Sequence, residues 1–453
     1  MKKTYQRLSV LTLAAIMTAS VFAGCGQKAS TTQEGKSSTS APKEITLNYT
    51  TWVNRKDATG NYVDETMTKE FMKKYPNIKV NFQLLTEADS NAYHQKTDLM
   101  IAGGDEIDIV EYSNRIAYYD RVGKKMLAPL DEYITAQGKK YSDLFNIDTT
   151  VDGKIYALPW DVKPSIVILN KSYLEEAGLS IPKLDWTWDD YRDYAKKLTK
   201  GEGKDRRYGS YFWTNPAYKF YGLTNSYNFD PMLTKDGESN LTDPNIKEWI
   251  QFVNDMEKVD KSHYPYGEAK AGKIAYRDLF YQGKVAMLPI GLFMIPDISS
   301  NAAKYPHEWV TTFASVPKYK NNQAGLTSGD AGFISVPVGS KHKAEAYKLA
   351  EFNCNEGVYI RATGVPAKKD YNVDEILKTM MAGKEKLYDI PTMKAVISNM
   401  KVQTATNVFP YSQKVLDAED AELEKYFVGG TTLDQAIAAA DKAAKDVIKS
   451  SKK

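Results

Sequence analysis

The chain of 453 residues is poor in cysteine and histidine and carries almost no surplus charge. Two cysteines, Cys25 and Cys354, allow at most one disulfide, which excludes a small disulfide-stapled scaffold. A chain of about 430 residues beyond its leader buries enough apolar surface to do without such staples. The four histidines, His94, His263, His307 and His342, are too scattered to suggest a metal site or a triad. There is no Gly-x-Ser-x-Gly elbow, no His-Glu-x-x-His zinc motif and no phosphate-binding loop, so no cofactor and no metal is expected. Of the 60 Lys and Arg, three precede position 25, where there is no acid, leaving 57 basic against 57 acidic residues. A balance of that kind leaves no electrostatic footprint for nucleic acid. The uncharged run Leu8–Ala23 is shorter than the roughly 20 residues that comfortably span a bilayer.

What is present begins with that run. Lys2, Lys3 and Arg7 precede it, and small Ala23-Gly24 close it before Cys25, the layout of an export signal over residues 1–24. Gly24-Cys25 resembles the lipobox of bacterial lipoproteins, with Phe22 where Leu, Val or Ile is usual. That resemblance implies that Cys25 is acylated and anchors the chain outside a bacterial cell membrane, leaving Cys354 as a small buried hydrophobe. The stretch 25–43 is dominated by Ser, Thr, Gln, Gly and Lys and reads as a flexible tether. Aromatics are plentiful: 31 Tyr, 15 Phe and 7 Trp make 12% of the chain. Rings with an apolar face and a polar edge serve cores, and they also suit amphipathic ligands such as sugars.

From Glu44 the pattern alternates between strand and helix. Ile45, Leu47 and Tyr49 alternate with polar residues; Val63, Met67, Phe71 and Tyr75 recur at helical spacing; Ile78, Val80, Phe82 and Leu84 alternate again. A second helix is expected to end near Ala102 at Gly103-Gly104, followed by a buried strand over Ile107–Tyr112. Units of this kind predict an α/β fold whose ligand sites lie beyond the carboxyl ends of the strands, here in Thr50–Asp57 and Ser113–Arg115. Thr187 and Asp190 form a capping box ahead of a helix through Leu198, and Ile246, Trp249, Ile250, Val253 and Met256 trace a second amphipathic stripe. Lys284–Ile290 and Gly332–Pro337 read as strands, and the Ala/Lys-rich Ala436–Lys453 as a helix.

Several stretches resemble the family 1 extracellular solute-binding proteins of ABC importers, the group that includes maltodextrin-binding proteins. They are FMKKYPNIKVNFQ (Phe71–Gln83), MIAGGDEIDIVEY (Met100–Tyr112, with Ile107 where Pro is usual) and LAPLDEYI (Leu127–Ile134). The most specific is VDGKIYALPWDVKPSIVILNKSYLEEAGL (Val151–Leu179), and WTWDDYRDYAKKLT, GKVAMLPIG and GGTTLDQAIAAADKA extend the likeness through the chain. The resemblance implies a two-lobed periplasmic-binding-protein-like α/β fold with discontinuous lobes joined by hinge strands. By position, residues 44–161 and 317–364 would form one lobe, and residues 163–315 and 365–453 the other. It further implies a monomer that captures a carbohydrate and hands it unaltered to an ABC permease.

A sugar needs rings for its apolar face and polar groups for its hydroxyls, because each buried hydroxyl left unpaired costs on the order of 1–3 kcal/mol. On family positions the candidates are Trp52 and Asn54 after the first strand, Ser113 and Asn114 after the third, and Trp160, Asp161 and Lys163 at the hinge crossing. Trp213 and Tyr218 in an aromatic-rich stretch, Phe293 after Gly291-Leu292, Asp330 after Ser328-Gly329, and Tyr411 complete the set. Other roles stay open: a packed loop for Trp52, a helix cap for Ser113 and Asn114, an ion pair between Asp161 and Lys163, and a turn at Ser328–Asp330. Lys163 stands where maltodextrin binders carry an acid, which points away from maltodextrin and towards an acidic or otherwise different ligand. Two further functions compete. A glycan-cleaving enzyme would need two carboxylates flanking the scissile bond, and a surface adhesin or scaffold would bind a macromolecule.

Overall fold

The computed structural model describes residues 44–452, apart from 54, 58–59, 87–88, 227–229, 297–305 and 404–406. Residues 1–43, where the sequence leads one to expect an export signal, an acylated Cys25 and a tether, and Asn54 therefore lie outside the described residues. Twelve strands are seen among those residues: β1 (Ile45–Thr51), β2 (Ile78–Leu84), β3 (Val110–Tyr112), β4 (Thr150–Val151), β5 (Lys154–Ile155) and β6 (Leu158–Asn170) come first. β7 (Tyr208–Ser210), β8 (Val285–Gly291), β9 (Thr311–Ala314), β10 (Leu326–Ser335), β11 (Val365–Pro366) and β12 (Lys401–Gln403) follow.

The first unit is the βαβ crossover that alternation predicts. β1 and β2 run parallel in register from Ile45↔Ile78 to Thr51↔Leu84, and α1 (Val63–Lys74) joins them. Met67 and Phe71 on α1 are buried against Leu47, Tyr49 and Ile78, at roughly 1.5–3 kcal/mol for each large apolar side chain taken from water. α2 (Ser90–Gly103) stops where Gly104, at φ +82°, donates its amide to the Ile101 carbonyl. The strand expected over Ile107–Tyr112 is shorter than its apolar run. The amides of Asp108 and Ile109 both turn to the Asn48 carbonyl, and the Asp108 carboxylate accepts from the Asn48 amide and the Ser340 hydroxyl, so pairing as β3 starts at Val110. α3 (Arg115–Gly123) follows β3 directly.

β6 organises the rest. This 13-residue strand changes neighbours at its middle: its first half pairs with β10 (Gly329↔Pro164 to Ile334↔Leu158) and β11, its second with β8 (Ser165↔Gly291 to Leu169↔Met287) and β9. β3 lies on β10, β12 on the start of β10, and β7 on β8. The backbone passes from one set of partners to the other at Pro164, whose carbonyl receives the Leu292 amide.

Alternate residues of the second half of β6 face two cores. Val167 and Leu169 meet a core built by the helices Trp188–Leu198, Pro244–Lys258, Ser412–Phe427 and Leu433–Ser451, while Ile166 and Ile168 face the core that continues into β1, β3 and β10. The expected capping box is present, with Thr187 and Asp190 bonding reciprocally, and a second one joins Thr432 and Gln435. The helix Trp188–Leu198 approaches β7 so closely that a Cβ at Gly209 would lie 1.9 Å from the Ala195 carbonyl oxygen.

Candidate functional site

The hinge region is held by a buried carboxylate. Asp161 on β6 has no exposed surface; Oδ1 accepts the Gly332 amide (3.1 Å) and pairs with Lys163 Nζ, and Oδ2 accepts the Thr363 hydroxyl (2.6 Å). Asp161 and Lys163 point to one side of the strand, as an i, i+2 pair should. The ion-pair reading of these two residues is therefore what the fold adopts, and Asp161, wholly buried, presents no oxygen to solvent. Gly332 opposite must be small, since a Cβ there would stand 2.3 Å from Trp160 Cζ2.

Trp160 also corrects an expectation. Only 1% of it is exposed: the Arg361 guanidinium lies 4.3 Å from its ring centroid, Lys163 Nζ 5.3 Å, and Trp52 6.4 Å away. The ring backs Trp52 from inside and offers no open face, because β6 is covered on both sides at this point. Arg361 is itself wholly buried, paired with Asp64 (2.7 Å) and Glu111 (2.7 Å), and Glu111 also accepts the Tyr49 hydroxyl (2.7 Å). Burial pushes the Glu111 carboxyl above its usual range, even against the opposing pull of Arg361.

Trp52 follows the carboxyl end of β1, half-buried, with ring centroids at 5.0 Å from Tyr93 and 5.8 Å from His94 of α2. Tyr93 is fixed by donating to the Thr50 carbonyl (2.9 Å) and accepting the Glu111 amide (3.1 Å). His94 Nε2 accepts the Ser113 amide (3.4 Å), and burial, with Arg121 adding to it, lowers its pKa to about 3, so the imidazole is neutral. Ser113 and Asn114 follow β3 and are half-buried beside this group. Asn114 takes the helix-cap role: Oδ1 accepts the Ala117 amide (2.8 Å) and Nδ2 donates to Ser113 Oγ (3.1 Å).

A second aromatic group stands where β8 ends. Trp213 lies 4.8 Å from Tyr218 and 4.6 Å from Tyr276, and Tyr276 meets Phe293 edge-on at 6.4 Å. A Cβ on Gly291 would lie 2.6 Å from the Phe293 ring and 3.5 Å from the Tyr218 hydroxyl, so Tyr218 and Phe293 share one spot. Trp213, Tyr218 and Phe293 are all half-buried.

Asp330 lies on β10 at the crossing. It sits opposite Lys163 in the β10–β6 register, and its Oδ1 accepts the amides of Arg115 (3.1 Å) and Ala331 (2.9 Å). The Tyr218 hydroxyl is pushed above its ordinary range first by burial and then by the charge of Asp330. Asp330 is exposed to solvent, and desolvation raises its carboxyl, opposed first by Arg115. Two depressions, of about 890 Å³ along Tyr371–Asp374 and Lys394 and about 620 Å³ beside Thr66–Lys73, share no residue with this constellation.

Tyr411 does not join it. Its side chain is packed in the second core, stacked on Phe409 at 5.3 Å, and its hydroxyl donates to the Gly237 carbonyl (2.9 Å). Sequence reasoning also passed over Tyr93, His94, Tyr276 and Arg361. The first three sit within helices, where adjacent aromatic and polar residues read as ordinary amphipathic pattern. Arg361 ends the helix Val358–Arg361, where a cation usually faces water; only its tertiary partners reveal it.

Rings and polar groups after β1, β3 and β8, with Asp330 inside β10, thus lie along the stretch of β6 from Trp160 to Ser165 where the strand changes neighbours. The arrangement holds no nucleophile poised on a base and, among the described residues, no cluster of three or more metal-ligating side chains. It suits recognition of a solute with both apolar and hydroxylated faces.

Comparison with known proteins agrees. Residues 56–353 match the family described as bacterial extracellular solute-binding protein. A putative binding protein of Brucella abortus is 27% identical over 329 residues, covering 70% of this chain and 76% of its own. The multiple sugar-binding protein of Streptococcus mutans is 23% identical over 393 residues, covering 82% of each chain. An ABC substrate-binding protein of Listeria monocytogenes, solved with cycloalternan, superposes with a TM-score of 0.73 at 23% identity over 90% of this chain and all of its own, and shares its two-lobed α/β fold. The chain belongs to the bacterial extracellular solute-binding protein family.

Proposed function

We propose that the protein captures a carbohydrate, an oligosaccharide in the first place, between two lobes outside the cytoplasm and delivers it chemically unchanged to the permease of an ABC importer. The reading is supported by Trp52 beside Trp160 of β6, by Trp213, Tyr218 and Phe293 around Gly291 where β8 ends, and by Asp330 opposite Lys163 in the β10–β6 register. The lobes are residues 44–161 with 317–364, and 163–315 with 365–453. A solute that touches both shifts an open–closed equilibrium by its differential affinity for the two forms. Relatives support the ligand class: proteins named for multiple sugars in Streptococcus mutans and for arabinooligosaccharides in Bacillus subtilis match over 82% and 73% of this chain.

No helix among the described residues is long and apolar enough to cross a membrane. Anchoring then falls to Cys25, acylated and leashed by residues 25–43, with the folded part a monomer. Two or more acyl chains hold such a protein firmly, at about 0.8 kcal/mol per buried methylene. A Cys25→Ser protein recovered in the medium supports the anchor, and one still wholly membrane-bound removes it. The function is tested by a thermal-shift screen of neutral, amino and acidic oligosaccharides. A ligand at about 100 times its Kd adds roughly 2.7 kcal/mol of stability; a flat response to every sugar would count against capture.

A further inference from the structure

The ion pair in the hinge alters what the cleft can offer a ligand. Lys163 is the cation that the sequence places at the crossing, but its Nζ is committed to the wholly buried Asp161 and leans over the Trp160 ring. Arg115, on the flank, donates Nη1 to the Asp148 carbonyl (3.0 Å) and lies 5.8 Å from the Tyr119 ring centroid. Asp330 differs from both. Its Oδ1 is saturated by two backbone amides, while Oδ2 accepts no hydrogen bond from the described residues, and the side chain is open to solvent. Asp330 thus keeps one carboxylate oxygen open, with Arg115 and Lys163 acting on its charge and Arg277 lying 4.5 Å from the Tyr276 ring centroid, so what it offers a solute is an acceptor that the sequence reading of Lys163 did not suggest.

We infer that Asp330 determines specificity: its Oδ2 accepts a hydrogen bond from a hydroxyl or ammonium group of the solute, and its charge turns away ligands that bring a carboxylate or phosphate to that position. This rests on the capture reading and narrows it to neutral or amino sugars. An ionised carboxylate is an acceptor only, so it has nothing to offer an anion. It forms hydrogen bonds with hydroxyls roughly twice as strong as a neutral acceptor does. A like charge placed against it, where protein limits solvent, is a repulsive element of the kind from which discrimination is built.

The test is calorimetric titration of the whole secreted chain with mannotetraose, maltotetraose and cellotetraose, each against its C6-carboxylate counterpart. A neutral sugar that binds is expected to do so at least about tenfold more tightly than its carboxylate form at low salt, with the gap closing as ionic strength rises. In Asp330→Asn the gap should shrink by about tenfold, through gained affinity for the carboxylate form. Asn retains Oδ1 for the two amides, so melting of the variant should match the wild type; a destabilised variant would leave the salt dependence of the wild-type gap to decide. Equal affinity for both members of a pair, or a gap unchanged by salt and by Asp330→Asn, overturns the inference and leaves sugar capture standing. Heat from none of the six would instead count against carbohydrate capture itself.

Discussion

Replacing Arg361 by methionine isolates the buried support beneath the candidate site. The guanidinium has no exposed surface and pairs with two carboxylates that have none either, with Nε at 2.7 Å from Asp64 and Nη1 and Nη2 at 2.7 and 3.0 Å from Glu111. Methionine fills much of the same volume and removes the charge, so both carboxylates become buried and uncompensated. Breaking a buried pair from one side costs about 3–5 kcal/mol, and here one cation serves two anions, so the upper half of that range is expected. The assay is urea unfolding followed by tryptophan fluorescence at pH 8. Acid should relieve the defect. The folded-state pKa of a buried unpaired carboxylate lies above its unfolded value, so its penalty is present above the folded pKa and fades as pH falls towards the unfolded one. Adding Glu111→Gln to the variant should restore part of the loss, giving a coupling of at least about 1.5 kcal/mol. A loss below about 1 kcal/mol at pH 8, or strictly additive effects, would refute the claim that this triad holds β1, α1, β3 and the helix Val358–Arg361 together.

Two further outcomes follow from other parts of the molecule. Trp213→Ala should weaken oligosaccharide binding by roughly 1–4 kcal/mol in calorimetry, because the half-buried ring, packed at a tilt against Tyr218 and Tyr276, is a fitting anchor; unchanged affinity would remove it from the site. His263 is buried with Nε2 accepting the Phe212 amide (3.3 Å) and Nδ1 facing Ser210 (3.0 Å), and burial lowers its pKa to about 3. Below the unfolded value near 6.5 the unfolded chain takes up a proton that the folded chain refuses, so this residue's contribution is lost as pH falls. The stability gap between wild type and His263→Gln should then narrow by about 1.4 kcal/mol per pH unit between pH 6 and 4. A gap independent of pH would mean the imidazole is not held neutral.

Much of the local structure was legible. The 2-residue and 3.6-residue periods locate β1, α1 and β2, and capping chemistry locates the helix that begins at Trp188. What could not be read is what depends on partners distant in the chain. Nothing in Leu158–Asn170 states that one strand changes neighbours at Pro164, since that is decided by β8, β9 and β10, which arrive more than a hundred residues later. For the same reason Trp160 reads as an aromatic at a crossing and proves to be an interior ring under Arg361. Trp52 and Phe293 follow strand ends and Trp213 and Tyr218 crowd an aromatic stretch, which is why the sequence offers them as candidates, whereas Asp330, named by family position, lies inside β10. Tyr411 was placed by position alone, and the fold puts its hydroxyl to work on Gly237.

The central claim is that the two halves joined at β6 and β10 close on a solute. Small-angle X-ray scattering of the folded chain, with and without a sugar shown by calorimetry to bind, addresses it most directly. A smaller radius of gyration and a shorter maximum dimension in the bound sample are the expected result. Scattering curves that superimpose at saturating ligand would contradict it.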